Sequence, residues 1–451
     1  MKLSSRFLLA AAVSCASAQV LGQLPSAAGR SEARAVLADA QALYVDLHQH
    51  PELSSHEEQT AAHLARSLRG LGFEVTEHVG GTGIVALLKN GAGPTVMLRT
   101  ELDALPVEEK TGLAYASKVR TKNDQGFEVP VMHACGHDLH MASLVGAARI
   151  LAGSKGTWHG TLMLVGQPAE ETISGAERMV KDGIFTRFPK PDIALALHVS
   201  NDNPAGKITM RSGPQYANAD SLRITLFGKG GHGARPEATI DPIVLAARTI
   251  LSLQTIVSRE VKPGEVAVVT VGYIRAGTKN NIIPDQAELG LTVRTYKPEV
   301  RKQVLAAISR IVKAESQSAA APREPTVETY ETTDAVFNDP GLTEKLRAAL
   351  QAKLGKDDIG VSEPVTGSED FSYFTKEGVP GVYLKLGGAE PSQWAEAKAQ
   401  GTEMVSNHSP LFAPDAPPAI ETGIAAEVEA VRLFAGMKPD EIRRLSAEAK
   451  R

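Results

Sequence analysis

The chain has 451 residues, a formal net charge of −4 at pH 7, 43% hydrophobic and 22% charged residues, and two cysteines. A balance this near neutrality, with no basic cluster, excludes a nucleic-acid-binding face. The length exceeds what one hydrophobic core holds, so two domains are expected.

Residues 1–22 read as an export signal. Lys2 and Arg6 give a positive start, the apolar run 7–13 is too short to span a bilayer, and Ala16-Ser17-Ala18 is a small-residue cleavage site, with cleavage after Gly22 as the alternative. A lipidated Cys15 is a second alternative, although Ala12-Val13-Ser14-Cys15 lacks the leucine usual at the start of such a signal. The expected product is an exported protein, periplasmic or secreted, whose formal charge moves from −4 to −6 as Lys2 and Arg6 leave. No later stretch is long and apolar enough for a membrane helix. Its one remaining cysteine, Cys135, has no disulfide partner, so its chemistry is that of a thiolate.

Residues 23–31 read as a linker of small and polar residues, and 31–71 as helical, broken at His48-Gln49-His50-Pro51. Leu64, Leu68 and Leu71 mark one face of a helix that ends at Gly72. Strands follow at 73–78, 84–89 and 95–101; the last is apolar on consecutive positions, as strands buried on both faces are. The segment His133-Ala134-Cys135-Gly136-His137-Asp138 opens a helix over 139–152. Strand 161–165 runs into Gln167-Pro168-Ala169-Glu170-Glu171, and strand 193–198 ends at His198. Strands alternating with helices, with polar residues at strand ends, predict an α/β domain whose site lies at the carboxyl edge of its sheet. The pattern then changes. Alternating strands at 221–229, 266–274, 287–295 and 326–332, with helices at 241–258 and 298–314 between them, give the strand-helix-strand-strand-helix-strand order of a ferredoxin-like unit. After about residue 333 the first style resumes, with helix 341–354 and strand 379–386. The expected organisation is a catalytic domain in two parts, 31–213 and 333–440, with an inserted α+β lid and dimerisation domain at 214–332.

Three histidines, a thiol and a carboxylate within 133–140 form a metal-site composition suited to zinc and its late first-row neighbours. The plainer reading is a polar helix start, which a lone histidine would favour. Glu170 and Glu171 on non-helical backbone point in different directions, so one can bind a metal while the other faces substrate as a general base; adjacent glutamates are otherwise ordinary surface. His198 and the loop residue His408 carry little signal individually.

The motifs HQHPELS (48–54), LDALPVEE (102–109), MHACGHDLHMA (132–142), GQPAEE (166–171), GGHGARPEATIDPI (230–243), NNIIPD (280–285), GSEDFS (367–372) and NHSPLF (407–412) occur in this order. Together they resemble the amidohydrolase subfamily of the aminoacylase/carboxypeptidase metallopeptidases, which includes hippurate hydrolases, N-acetylamino-acid deacetylases and auxin-conjugate hydrolases, and the likeness spans about 35–435. The resemblance implies a mixed-sheet α/β catalytic domain with a ferredoxin-like lid, and two divalent metals, zinc or alternatively manganese or cobalt, sharing Cys135 as bridging ligand. His137 and His198 would complete one shell, Glu171 and His408 the other. Glu170 matches the general base, Asp103 an aspartate behind the site, His232 a lid histidine that stabilises the oxyanion, and Asn281 and Arg294 lid positions that hold the substrate carboxylate. For Arg294 a surface ion pair is the alternative. One departure is Arg99-Thr100-Glu101-Leu102-Asp103, where the family commonly has aspartate in place of Glu101. Another is the segment 387–405 with Trp394, read as a loop near the substrate mouth, with a solvated helical insertion as the alternative. His48 and His50 are expected to make structural hydrogen bonds, and His133 and His140 to support the ligands or to be structural.

The implied reaction is hydrolysis of N-acyl amino acids (N-acetyl, benzoyl or aryl-acyl) by a hydroxide held between two metals, with a small-molecule partner and a possible homodimer through the lid. Competing readings are a dipeptidase or metallocarboxypeptidase on the same scaffold, a non-catalytic metal- or ligand-binding protein, and a closed structural zinc site.

Overall fold

Strand Thr95–Glu101 is buried along its whole length. Val96 and Leu98 pack into one hydrophobic cluster and Met97 into another, so the strand has a core on each face. Its neighbours repeat the division. Leu162 and Leu164 face the first cluster and Met163 and Val165 the second; Leu195 and Leu197 face the first and Ala194 and Ala196 the second. In the computed structural model, which describes residues 27–448, these strands are the middle of an eight-stranded mixed sheet. The expected export signal at 1–22 lies outside the described residues.

The sheet runs from Glu74–Thr76 through Ile84–Asn90, Gly160–Gln167, Thr95–Glu101, Ile193–Pro204 and Gly381–Ala389 to the short strands Ile208–Thr209 and Ile359–Gly360. The central pairings, Thr95–Glu101 with both neighbours and Ile193–Pro204 with Gly381–Ala389, are parallel. Helices Ala27–Gln49, His137–Gly153, Pro340–Leu354 and Ala416–Ala435 cover the first face. Gly175–Lys181 and the segment around Phe371 and Phe374 cover the second. The helix starting at Pro340 is capped by Asp339, whose carboxylate accepts the Leu342 N–H.

The inserted unit has four antiparallel strands. Ala219–Phe227 lies between Gln286–Thr295 and Thr326–Thr333, with Ala267–Ala276 on the outer side of Gln286–Thr295. Helices Pro242–Thr255 and Pro298–Ser318 pack on one face. In Gln286–Thr295 the odd positions Leu289, Leu291 and Val293 enter that core. Thr292 and Arg294 therefore point out of the open face. The chain enters and leaves this unit through Gly213–Tyr216 and Val336–Asn338, which pair antiparallel.

Several expectations need correction. Residues 27–31 are not linker but the first turns of helix Ala27–Gln49. The helix after Cys135 begins at His137 rather than 139, so His137 and His140 share its first turns. His198 is not at a strand end: the strand continues to Pro204, held past His198 by parallel pairing with Gly381–Ala389. The segment 387–405 is strand to Ala389 and then helix Pro391–Gln400, whose start is capped by the Glu390 side chain.

Candidate metal-dependent active site

Loops at the carboxyl ends of the parallel strands bring the candidate ligands together. Asp103 follows Thr95–Glu101 by two positions, and Glu170 and Glu171 follow Gly160–Gln167. Between the latter strand and helix Gly175–Lys181 the chain turns sharply. Ala169 and Ile173 adopt left-handed φ of 48° and 52°, and a Cβ on Gly175 would fall 1.5 Å from the Pro168 carbonyl oxygen. This turn sets both carboxylates beside His137, with one ligand atom of each within 4.8 Å of the others. Gly136, with φ 90° and Val199 Cγ1 2.4 Å from where a Cβ would lie, lets the Cys135 loop sit against strand Ile193–Pro204.

Among the described residues five donor triads have ligand atoms within 4.8 Å of one another; two of them, Cys135–His137–His198 and Cys135–Glu171–His408, share the thiol, and the others are Glu101–His137–His140, His137–Glu170–Glu171 and Glu170–Glu369–Asp370. Cys135 Sγ is 3.3 Å from His198 Nε2 and 3.3 Å from His408 Nε2, and His408 Nε2 is 3.4 Å from Glu171 Oε2. Nitrogen and sulfur ligands on a tetrahedral zinc lie roughly 3.6 Å apart, given bond lengths of about 2.0 and 2.3 Å. The free valences also fit a cation. His137 Nε2 and Glu171 Oε1 are buried without a hydrogen-bond partner. His137 and His198 each donate Nδ1–H to a backbone carbonyl, of Asp103 and Val199 at 2.8 Å, which fixes the tautomer leaving Nε2 as donor to a metal. Burial, followed by the charges of Glu171 and Glu170, pushes the Cys135 thiol well above its ordinary value, and burial pulls His198 well below its own. Such a thiol ionises only beside a cation, while a neutral imidazole is already a ligand.

The supporting groups are as ordered as the ligands. Asp103 is fully buried. Its Oδ2 accepts from the Glu171 N–H at 3.0 Å and the Ser54 hydroxyl at 2.6 Å, so one residue positions both shells. Asn407 donates to the carbonyls of Cys135 and Val199 at 2.9 and 3.0 Å, and His408, at φ 69°, donates its N–H to the Ala134 carbonyl. Ser54 and Asn407 were not singled out from the sequence, although both lie inside the quoted motifs. Glu101 meets two partners with its two oxygens, His140 Nδ1 at 2.8 Å and the Arg99 guanidinium; His140 Nε2 in turn accepts the Val199 N–H. His140 is thus a support for strand Ile193–Pro204 beside His198. His133 supplies no atom to either triad; both its ring nitrogens are buried without partners, and burial takes it down to about 4.

Glu170 is buried beside the shells, with Oε2 3.8 Å from His137 Nε2. Burial, then Glu369, Glu171 and Asp370, raise its pKa well above the usual carboxylate range. The triads open into a cavity of about 700 Å3, walled on the far side by Val268, Thr292 and Arg294 from the open face of the lid sheet. Arg294 Nη1 is buried there without a hydrogen-bond partner. His232 and Asn281 are not among the lining residues. They lie exposed at a two-stranded ribbon, Gly231–His232 with Ile282–Ile283, where the Asn281 carbonyl accepts the Gly233 N–H.

Two donor triads sharing a thiol, beside a buried carboxyl at the edge of a mixed sheet, form a site that can hold two divalent cations next to an acid–base group, the arrangement of a metal-dependent hydrolase. Residues 97–405 match the peptidase family M20/M25/M40. The chain is 38% identical over 350 residues to the N-acetyl-L-cysteine deacetylase of Bacillus subtilis (strain 168), covering 77% of this chain and 80% of that protein. It is 37% identical over 347 residues to thermostable carboxypeptidase 1 of Saccharolobus solfataricus, covering 76% and 84%. The crystal structure of the Bacillus subtilis YXEP protein, described as a dinuclear metal binding peptidase, superposes with a TM-score of 0.72 at 29% identity, covering 89% of this chain and 99% of that one. This chain belongs to the M20/M25/M40 peptidase family, within its amidohydrolase subfamily.

Because both triads use the same sulfur, Cys135→Ser is expected to lower occupancy of both metal positions together in elemental analysis; loss of one metal with full retention of the other would refute the shared ligand. A second expectation concerns His48, which bonds Asp138 Oδ2 at 2.7 Å and Glu109 at 3.2 Å, and which those hydrogen bonds, working against burial, raise to about 10. Its folded-state pKa exceeds the unfolded value near 6.5, so its stabilising effect is complete below that pH and fades as pH rises through about 10. The stability deficit of His48→Gln, read from urea midpoints, should therefore be largest near pH 6 and shrink toward pH 10.

Proposed function

We propose that this protein hydrolyses the amide bond of N-acyl amino acids, releasing a carboxylic acid and a free amino acid. The observation that carries this reading is the juxtaposition of two donor triads joined at Cys135 with the Arg294 guanidinium across the same cavity, the Arg294 Nε donating to the Thr292 hydroxyl while Nη1 has no hydrogen-bond partner. A planar guanidinium fork matches the carboxylate of an amino acid. The amide would then lie between Arg294 and the triads. His137 and His198 would hold one divalent cation, Glu171 and His408 the other, and Cys135 both. The soft donors favour zinc, with manganese and cobalt as alternatives. When bound, these cations would acidify water and polarise the scissile carbonyl.

Glu170 acts as the general base, accepting a proton from the attacking water and delivering it to the leaving nitrogen. The burial and neighbouring carboxylates that raise its proton affinity suit a group that must take a proton and then pass it on. Asp103 keeps His137 and the Glu171 backbone in place through the contacts above. His232 serves the developing oxyanion and Asn281 the substrate carboxylate, and their exposed positions on the lid mean that both act only after lid closure. The carboxypeptidase relative supports a second reading, because a peptide C-terminus presents the same carboxylate to Arg294.

The decisive assay is amine release from N-acetyl and benzoyl amino acids against dipeptides, after chelation and on return of Zn, Mn or Co. Activity should vanish with chelator and recover with metal, with the N-acyl amino acids turned over faster. Glu170→Gln should keep its metal content and lose about 10²–10⁴-fold in kcat; near-normal turnover would remove Glu170 from the role of base. The reading also includes export through residues 1–22 and a homodimer through the lid, where helix Pro242–Thr255 exposes Ile243, Val244 and Leu251. Mass spectrometry of the protein recovered from its native host should find the leader removed, and light scattering at two concentrations should find twice the chain mass.

A further inference from the structure

A second cation faces the cavity from the catalytic domain. Lys385 lies in strand Gly381–Ala389, flanked by the core residues Leu384 and Leu386, and pairs in parallel register with His198. Register partners project to the same face of a sheet, so the Lys385 stem rises beside a candidate metal ligand. Its side chain is only 9% exposed, yet it lines the cavity. Burying an ammonium within a sheet is costly unless its donors are used. One donor is: Nζ lies 2.6 Å from Asp202 Oδ2. Asp202 is not a committed core partner, for its side chain is 65% exposed. It also borders an adjoining cavity of about 460 Å3 walled by helix Pro391–Gln400, and its backbone carbonyl accepts the Trp394 indole N–H at 2.9 Å. Among the described residues this is the one hydrogen bond of Lys385 Nζ, which leaves two of its donors without a protein partner, and its carboxylate partner, whose Oδ2 also accepts the Ser200 hydroxyl at 3.1 Å, sits at a solvated rim.

We propose that Lys385 binds a second carboxylate of the substrate, so that the preferred substrates are dianionic N-acyl amino acids. This rests on the reading of the site as an N-acyl-amino-acid hydrolase, with the α-carboxylate at Arg294. The second carboxylate is either the side chain of an acidic amino acid or the far end of a dicarboxylic acyl group; the cation recognises both alike. A charge-assisted hydrogen bond in a partly desolvated cavity distinguishes a carboxylate from its amide by roughly tenfold to a hundredfold. Asp202 competes for the same ammonium, so the site is tuned by a carboxylate the protein itself supplies.

The test uses two matched pairs: N-acetyl-L-glutamate against N-acetyl-L-glutamine, and N-succinyl-L-leucine against its succinamide counterpart. The wild-type enzyme should favour the charged member of at least one pair by tenfold or more in kcat/KM, mainly through KM, and the pair showing the preference identifies which end of the substrate meets Lys385. Lys385→Met should bring that ratio near one and Lys385→Arg should retain most of it. Asp202→Asn, a change at a mostly exposed side chain, should enlarge the ratio by removing the competitor. Equal handling of charged and neutral members by the wild type would overturn the proposal, as would equal losses on both members in Lys385→Met together with an unchanged or smaller ratio in Asp202→Asn. Absence of amine release from all four compounds, and from simple N-acetyl amino acids, would instead overturn the hydrolase reading beneath it.

Discussion

A fully buried guanidinium holds the catalytic edge of the sheet together. Arg99, in the central strand, pairs with Glu101, with Glu369 at 2.8 Å and with Asp370 at 3.1 Å, and donates Nε–H to the Gln167 side chain at 2.9 Å. Each partner reaches further. Glu101 orients His140, Glu369 accepts the Tyr383 hydroxyl, and Asp370 accepts the Ala176 N–H at the start of the helix after the glutamate turn. Three strands, two helices and the loop at 369–370 are thereby tied to one positive charge. An enzyme that gathers carboxylates around cations needs such a counterweight behind them, because unpaired buried anions would shed their charge or unfold the site. Three acidic groups around one cation still leave a net negative field, which is why burial and Glu369, against the pull of Arg99, hold Asp370 up to about 8.

That negative field explains the division of labour across the cavity. The catalytic edge concentrates donors for cations, and two positive groups, Arg294 and Lys385, border the same cavity, where they would meet an anionic substrate under the proposed reading. Arg294 sits on the open face of the lid sheet, and Lys385 one strand over from the ligand-bearing loops. The alternation of strand Gln286–Thr295 makes this possible, since the odd positions build the lid core while the even positions Thr292 and Arg294 present polar groups to the catalytic domain. Under the proposed reading, a lid that carries part of the substrate site would couple binding to closure.

Much of this was legible in one dimension. Consecutive apolar residues at 96–98 announced a strand with a core on both faces, the apolar runs 162–165 and 193–197 announced further strands, and the change to alternating strands after residue 214 announced a second unit of different architecture. The ligand types at 133–140 pointed to metal chemistry because three histidines, a thiol and a carboxylate rarely gather in eight residues otherwise, and the paired glutamates added to it through their place after an apolar strand. The errors came where tertiary pairing overrides local signal. His198 looked terminal because the polar residues Ser200, Asn201 and Asp202 follow it, whereas parallel pairing with Gly381–Ala389 carries the strand on to Pro204. Residues 387–405 looked like loop because the helix there has no buried residue to set a period.

The sequence by itself determined the inventory: which donors exist, that Cys15 is the one other cysteine Cys135 could pair with, and that two folding units share the chain. Only the tertiary structure decided adjacency. That Cys135 belongs to two triads at once, that Asp103 serves both shells, that Arg294 faces the cavity while His232 and Asn281 do not, and that a lysine hidden in an apolar strand borders the site all depend on side chains far apart in the chain meeting at a sheet edge. Spacing along a chain specifies local periodicity, whereas the distance between two side chains on different strands is set by register and packing, which appear only when the whole core has formed.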